Sequence, residues 1–132
     1  MVRVVVEAEV RPTEDSEKVK KAVGNVFAGD VVISDQGGGY RLARGVSLTI
    51  ESLKPLRELA RVQQVEPALR SYIHRHRENR AITILLHKQA AYVGKLSLVD
   101  SEKESPLGAI RITVEGDEAE LDEASRYLTG SS

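Results

Sequence analysis

Cysteine is absent from all 132 residues, which excludes a disulfide framework and thiolate metal sites and fits a reducing interior. Tryptophan is absent too and phenylalanine occurs once, so four tyrosines supply nearly all the rings available for stacking. No stretch approaches the roughly 20 consecutive apolar residues that a membrane helix needs. The chain opens Met1-Val2-Arg3 and passes straight into a strand-like pattern, without the apolar core and cleavage site of a leader. It therefore reads as mature sequence, cytoplasmic, with no membrane partner.

What is present suits one domain spanning residues 1–132, long enough to bury roughly two thirds of its unfolded surface. The formal net charge is −1, but the charge is unevenly placed. Residues 54–99 carry nine Lys and Arg against three acids, and residues 100–132 carry three against nine. A local basic segment attracts a polyanion even in a near-neutral chain, because salt screens interactions beyond about 8 to 10 Å. Solvated helix faces that happen to be basic would give the same count.

Hydrophobic periodicity supplies the elements. Val2, Val4, Val6, Ala8 and Val10 alternate with Arg3, Val5, Glu7 and Glu9, the period of a half-buried strand. Pro12 interrupts it, and Val19, Ala22, Val23, Val26 and Phe27 then recur at helical spacing up to Gly29. Two short runs, Asp30 to Ser34 and Tyr40 to Val46, flank Gly37-Gly38-Gly39 and predict a hairpin with a flexible tip. The glycines are not a phosphate loop, since Tyr40-Arg41-Leu42 follows where Gly-Lys-Ser/Thr would be required.

Helices are expected over Ser52 to Gln64 and Glu66 to Glu78, with Pro55 and Pro67 in their first turns. Strands are expected over Ala81 to His87, Leu96 to Val99 and Leu107 to Glu115. A final helix should follow an Asp117 cap, and Gly130-Ser131-Ser132 should fray. Strands joined by short turns, with helices grouped between them, imply an α+β fold. The expectation is a two-layer α/β sandwich whose mainly antiparallel sheet carries helices on one face.

Catalytic chemistry is not legible. His74 and His76 stand two apart on an expected helix and diverge, His87 lies at a strand end, and Ser97 and Ser101 lack a nucleophile turn. The acids Asp117, Glu118 and Glu120 suit the first turn of a helix better than a cation loop. A non-enzymatic protein with no cofactor and no metal site is expected.

Positive residues do form a pattern. Lys54, Arg57 and Arg61 share one helical face, and Arg70, His74 and Arg77 another; the two stripes are expected to meet. The segment His87-Lys88-Gln89-Ala90-Ala91-Tyr92-Val93-Gly94-Lys95 joins two strands without being turn-like. On one reading Lys88, Gln89, Tyr92 and Lys95 offer phosphate contacts, hydrogen bonds and a stacking ring. On the other it is an irregular crossover in which Ala90, Ala91 and Val93 pack and Tyr92 joins the core. Either way it should be ordered.

Lys88-Gln89-Ala90-Ala91-Tyr92-Val93-Gly94-Lys95, followed by Glu104-Ser105-Pro106-Leu107-Gly108-Ala109-Ile110, resembles the signature of archaeal protein family 0201, described as predicted RNA-binding. Leu56-Arg57-Glu58-Leu59 with Gln63 and Ala68 is similar to that family's central helix, and the opening through residue 15 also agrees. His87 departs from the family's Asn at that position, and the chain is less basic around Arg61-Val62-Gln63-Gln64-Val65. The family is related to predicted exosome-associated proteins. The resemblance implies a fold like that of the large-subunit ribosomal protein that binds 5S rRNA, and no enzymatic activity. Lys54, Arg57, Arg61, Arg70, Arg77, Lys88, Gln89, Tyr92 and Lys95 are thus the candidate RNA-binding residues. A protein-interaction or homo-oligomerising module remains the alternative, because sheet edges also suit assembly, and an enzyme or small-ligand site built from distant residues is a third.

Overall fold

A computed structural model describes residues 1–104 and 108–130. The alternating valines form strand β1 (Arg3–Val10), with Val4, Val6, Ala8 and Val10 buried. Helix α1 (Ser16–Gly24) follows, its N-terminus capped by Asp15, whose side chain accepts from the Glu17 amide. Strands β2 (Val32–Gly37) and β3 (Tyr40–Ser47) make the expected hairpin, β2 starting and ending later than the sequence pattern suggests. Gly38 and Gly39 both take positive φ (64° and 83°), the backbone a two-residue hairpin turn demands.

A 3-10 turn (Ile50–Leu53) leads into α2 (Lys54–Val62), so the helical stretch starts before Ser52. Helix α3 (Glu66–Arg75) ends three residues earlier than expected. Arg77–Glu78 instead form β4, pairing with Ile82 and Ala81 at the start of β5 (Ala81–His87). A short charged strand of this kind blunts a sheet edge. Helix α4 (Lys88–Tyr92) is where an irregular crossover was one expectation; the His87 ring accepts the Ala90 amide at 3.2 Å and caps it. A second 3-10 turn (Glu102–Glu104), strand β6 (Ala109–Glu115) and helix α5 (Glu118–Thr129) complete the chain. Asp117 and Glu120 close a reciprocal capping box on α5, and Gly130 ends it in the left-handed conformation. Leu107 and Ser105-Pro106 lie outside the described residues, as do Ser131 and Ser132.

Among the described residues six strands run in the order β2-β3-β1-β6-β5-β4, every pairing antiparallel. Side chains from all five helices, among them Val19, Leu56, Leu69, Ala91 and Leu121, share one buried cluster with Val6, Ile84 and Ile112 from the sheet. The other face is mostly open. Among the described residues Leu85, Val99 and Ala109 form a small cluster there, on the face that also carries the surface ion pairs Arg44–Glu7 and Arg111–Glu102.

The expected strand over Leu96 to Val99 is reduced to one bridge, Leu98 to Leu86. The segment still lines the β5 edge, since the His87 amide donates to the Ser97 carbonyl and the Val99 amide to the Leu85 carbonyl. No longer ladder forms because neighbouring positions are held by side chains. The buried Tyr72 hydroxyl donates to the Val99 carbonyl at 2.6 Å and accepts the Leu85 amide at 3.0 Å. Burial raises the Tyr72 pKa above its ordinary value and keeps the hydroxyl protonated.

Candidate nucleic-acid interface

Helices α1 and α4 lie side by side, tied at both ends. At one end Lys88, only 3% exposed, donates from Nζ to the Glu9 carbonyl at 2.6 Å and to both Glu14 carboxylate oxygens at 3.1 and 3.2 Å. Glu14 also accepts the Arg11 amide at 2.9 Å, so the carboxylate is well supplied with donors. At the other end Asn25, the C-cap of α1, donates to the Ala91 and Tyr92 carbonyls at 2.8 and 3.3 Å. A third tie reaches α2: the Gln63 amide donates to the Leu96 carbonyl at 3.1 Å and accepts the Leu96 amide at 2.8 Å.

Between α1 and α4 runs an open groove of about 490 Å³, with Lys18, Val19 and Ala22 on one wall and Gln89, Tyr92 and Val93 on the other. Lys21 places its ammonium 5.0 Å from the Tyr92 ring centroid. Gln89 and Lys95 are exposed, and Val93, expected to pack, is 65% exposed. Among the described residues, Lys18, Lys20 and Lys95 face solvent with no ion pair.

The nine candidate residues therefore separate. Lys88 is not a surface contact at all: its charge is spent inside, because a buried ammonium needs a partner and Glu14 supplies it. Arg77 has left the helix for β4, where it binds Asp122 at 2.6 Å and the Glu118 carbonyl at 3.1 Å, so it does not extend a helical stripe from Arg70. Arg61 is bound to Glu58 on its own helix at 2.6 Å, and that guanidinium holds the Glu58 carboxyl below the usual carboxylate range. Arg57 stacks over Tyr127 of α5, 4.7 Å from its centroid, and Arg70 reaches the Thr129 carbonyl at 3.5 Å. Lys54 is exposed on α2. Gln89 and Tyr92 lie together on α4, where α1 adds Lys18 and Lys21, and exposed Lys95 follows in the turn after α4.

Those α1 lysines are the residues that sequence reasoning passed over. Residues 1–53 are nearly balanced in charge, so Lys18, Lys20 and Lys21 do not stand out in a count along the chain. Their spacing around Val19 and Ala22 was the available signal. Of the histidines, His74 is exposed, His76 stacks on Tyr72 at 4.1 Å, and His87 caps α4. Among the described residues no three His, Asp or Glu side chains converge on a common point. Nor is any helix among them long and apolar enough to cross a membrane.

Comparison with known proteins bears on this arrangement. A family model described as RNA binding matches residues 3–116. A UPF0201 protein of Metallosphaera sedula is 46% identical over 114 residues, covering 86% of this chain and 79% of the relative. One of Aeropyrum pernix is 48% identical over 115 residues, covering 86% and 77%. The crystal structure of a UPF0201 protein from Methanococcus jannaschii superposes with a TM-score of 0.84 at 29% identity, over 96% of this chain and 98% of that one. With sequence and fold in agreement over most of both partners, the chain belongs to the archaeal UPF0201 family.

Proposed function

We propose that the chain is a non-enzymatic domain that binds structured RNA through phosphate contacts at the α1 and α4 end of the molecule. The observation that carries this reading is the group of solvent-facing lysines, Lys18, Lys21 and Lys95, beside the exposed Gln89 and the half-buried Tyr92. Lys54, Arg57 and Arg70 supply further positive charge on α2 and α3, and the family description as RNA binding points the same way. Such a surface neutralises phosphates without reading bases, so binding is weak, salt-sensitive and largely indifferent to sequence.

Fluorescence anisotropy of a labelled RNA stem-loop across a salt series tests it. Roughly four phosphate contacts give a slope of log affinity against log salt near −3. Replacing Lys18, Lys21 and Lys95 together by Gln should reduce the magnitude of that slope by about 2. A parent protein that binds no RNA at about 50 mM salt retires the reading.

A second reading, a protein-interaction or oligomerising module, is favoured by the β2 and β3 edge. Val32, Val46 and Leu48 are 66%, 42% and 56% exposed there, and β2 has a neighbour on one side only. Sedimentation equilibrium decides it: a concentration-independent monomer mass removes self-association.

A further inference from the structure

We propose that the groove between α1 and α4 takes the base and phosphate of one unpaired nucleotide. The inference rests on the RNA reading above and goes beyond it, because phosphate contacts alone do not distinguish paired from unpaired RNA.

Three properties of the groove point to this ligand. Its shape is held before any ligand arrives, by the Lys88–Glu14 pair at one end and the Asn25 amide at the other. Its surface is apolar in the middle and polar at the rim. The half-buried Tyr92 ring and the exposed Val93 are apolar on the α4 side, Val19 and Ala22, almost wholly buried, underlie the α1 side, and the exposed Lys18 and Gln89 add polar groups. Its length is right too: Asp15 to Ala22 spans two helical turns, about 10 Å of rise, which is the scale of one nucleotide.

The charges also orient the ligand. Glu14 is neutralised by Lys88, but Asp15, whose side chain accepts the Glu17 amide, keeps a carboxylate at the start of α1. A phosphate is repelled from that end and drawn toward Lys18 and Lys21, one and two turns further on. The Asp15 end is left for hydrogen-bond donors, such as a ribose hydroxyl or an exocyclic amine. Lys21 rests over the Tyr92 ring in the free chain. A stacking base takes its place on the ring, and the displaced ammonium moves to the phosphate.

Anisotropy with a short mixed-sequence single-stranded RNA, and with the same strand annealed to its complement, tests the proposal. Duplex has the higher charge density, so a purely electrostatic surface binds it at least as well as the single strand. A stacking groove reverses that order. The parent should therefore prefer the single strand, and Tyr92→Leu should weaken single-strand binding about five-fold or more and duplex binding by much less, so that the preference shrinks or is lost. Tyr92→Phe, which keeps the ring, should bind as the parent does.

Because Tyr92 also packs against the core, a second measurement does not depend on Tyr92→Leu folding. Titration of the parent with adenosine 5′-monophosphate should shift the amide resonances of Lys18 to Ala22 and Gln89 to Val93, and Gln89→Ala should diminish the shifts. If single strand and duplex bind equally and the monophosphate shifts neither segment, the nucleotide site falls while RNA binding stands. If neither RNA binds the parent, both fall. Shifts produced by oligoglutamate and not by the monophosphate would assign the groove to an acidic protein partner and overturn the proposal.

Discussion

Two parts of the helical layer carry positive charge in similar amounts and use it differently. On the α2, α3 and α5 side the guanidinium groups already have protein partners: Arg57 on Tyr127, Arg61 on Glu58, Arg70 on the Thr129 carbonyl. At the α1 and α4 end one cation, Lys88, is taken inside and paired, and the lysines around it are left to solvent. A count of basic residues along the chain puts the charge in the first region. The structure shows part of that charge engaged, Arg61 by a carboxylate, and places exposed lysines without an ion pair in the second. What attracts a polyanion is the charge that no carboxylate has neutralised.

Replacing Lys88 is the most drastic way to break the comparison. Lys88→Met leaves the Glu14 carboxylate buried without its cation and should cost roughly 3 kcal/mol or more, near 10 °C in melting temperature for a domain of this size. Adding Glu14→Leu should return much of that loss. Lys95→Gln, seven residues on, should stay within about 0.5 kcal/mol of the parent. Equal denaturation midpoints for the Lys88 and Lys95 variants would erase the distinction between internal and surface lysine.

Gln63 joins the two regions, since its amide serves both backbone groups of the buried Leu96. Gln63→Ala should cost about 1 to 2 kcal/mol by chemical denaturation, the penalty of stranding one donor and one acceptor. Gln64, its exposed neighbour, makes no such contact, and substituting it by Asn should be neutral or slightly stabilising because Asn adopts its positive φ of 58° more readily than Gln does. A Gln63 variant as stable as the parent would mean the tie contributes nothing.

The double variant Arg57→Ala, Arg61→Ala tests the α2 side directly. Arg61 is already paired with Glu58, which leaves only Arg57 to meet a phosphate, so the salt slope for RNA should shrink by less than about 1, clearly less than for Lys18, Lys21 and Lys95. A larger loss from the arginine pair than from the lysines would move the interface to α2.

The smallest effect concerns a region belonging to neither surface. Asp100 accepts from His76 at 3.0 Å and lies 3.5 Å from Arg75, and these two hold its carboxyl below the usual range, the His76 hydrogen bond most of all. A carboxyl depressed on folding contributes stability above its unfolded value and loses it as pH falls through the folded one. The stability that Asp100 contributes should therefore be lost only below about pH 4, read as the denaturation midpoint of the parent against pH beside that of Asp100→Asn. A difference between the two that already shrinks between neutrality and that range would show that Asp100 does not set it.

Much of this was legible in the residues. The β1 alternation, the Asp117 cap, the glycine turn and the apolar run of β5 are local patterns whose period or backbone need identifies them. The α+β class follows from their order. Less legible was the end of α3, where helical propensity runs on through Arg77 and the free edge of β5 captures those residues into a strand. Gly45 carried a signal that went unused: a Cβ there would lie 2.4 Å from the Phe27 ring, so this strand glycine marks a close approach.

By itself, then, the sequence determined most of the helices and strands, the mainly antiparallel α+β class and the lack of thiol chemistry, because these depend on neighbours a few residues apart. Which lysines are free was decided only by tertiary structure. Lys88 and Lys95 sit in the same short basic segment, yet Glu14, 74 residues away in the chain, buries one and leaves the other exposed. A charge's worth depends on its surroundings, and those are assembled from residues that sequence spacing keeps apart.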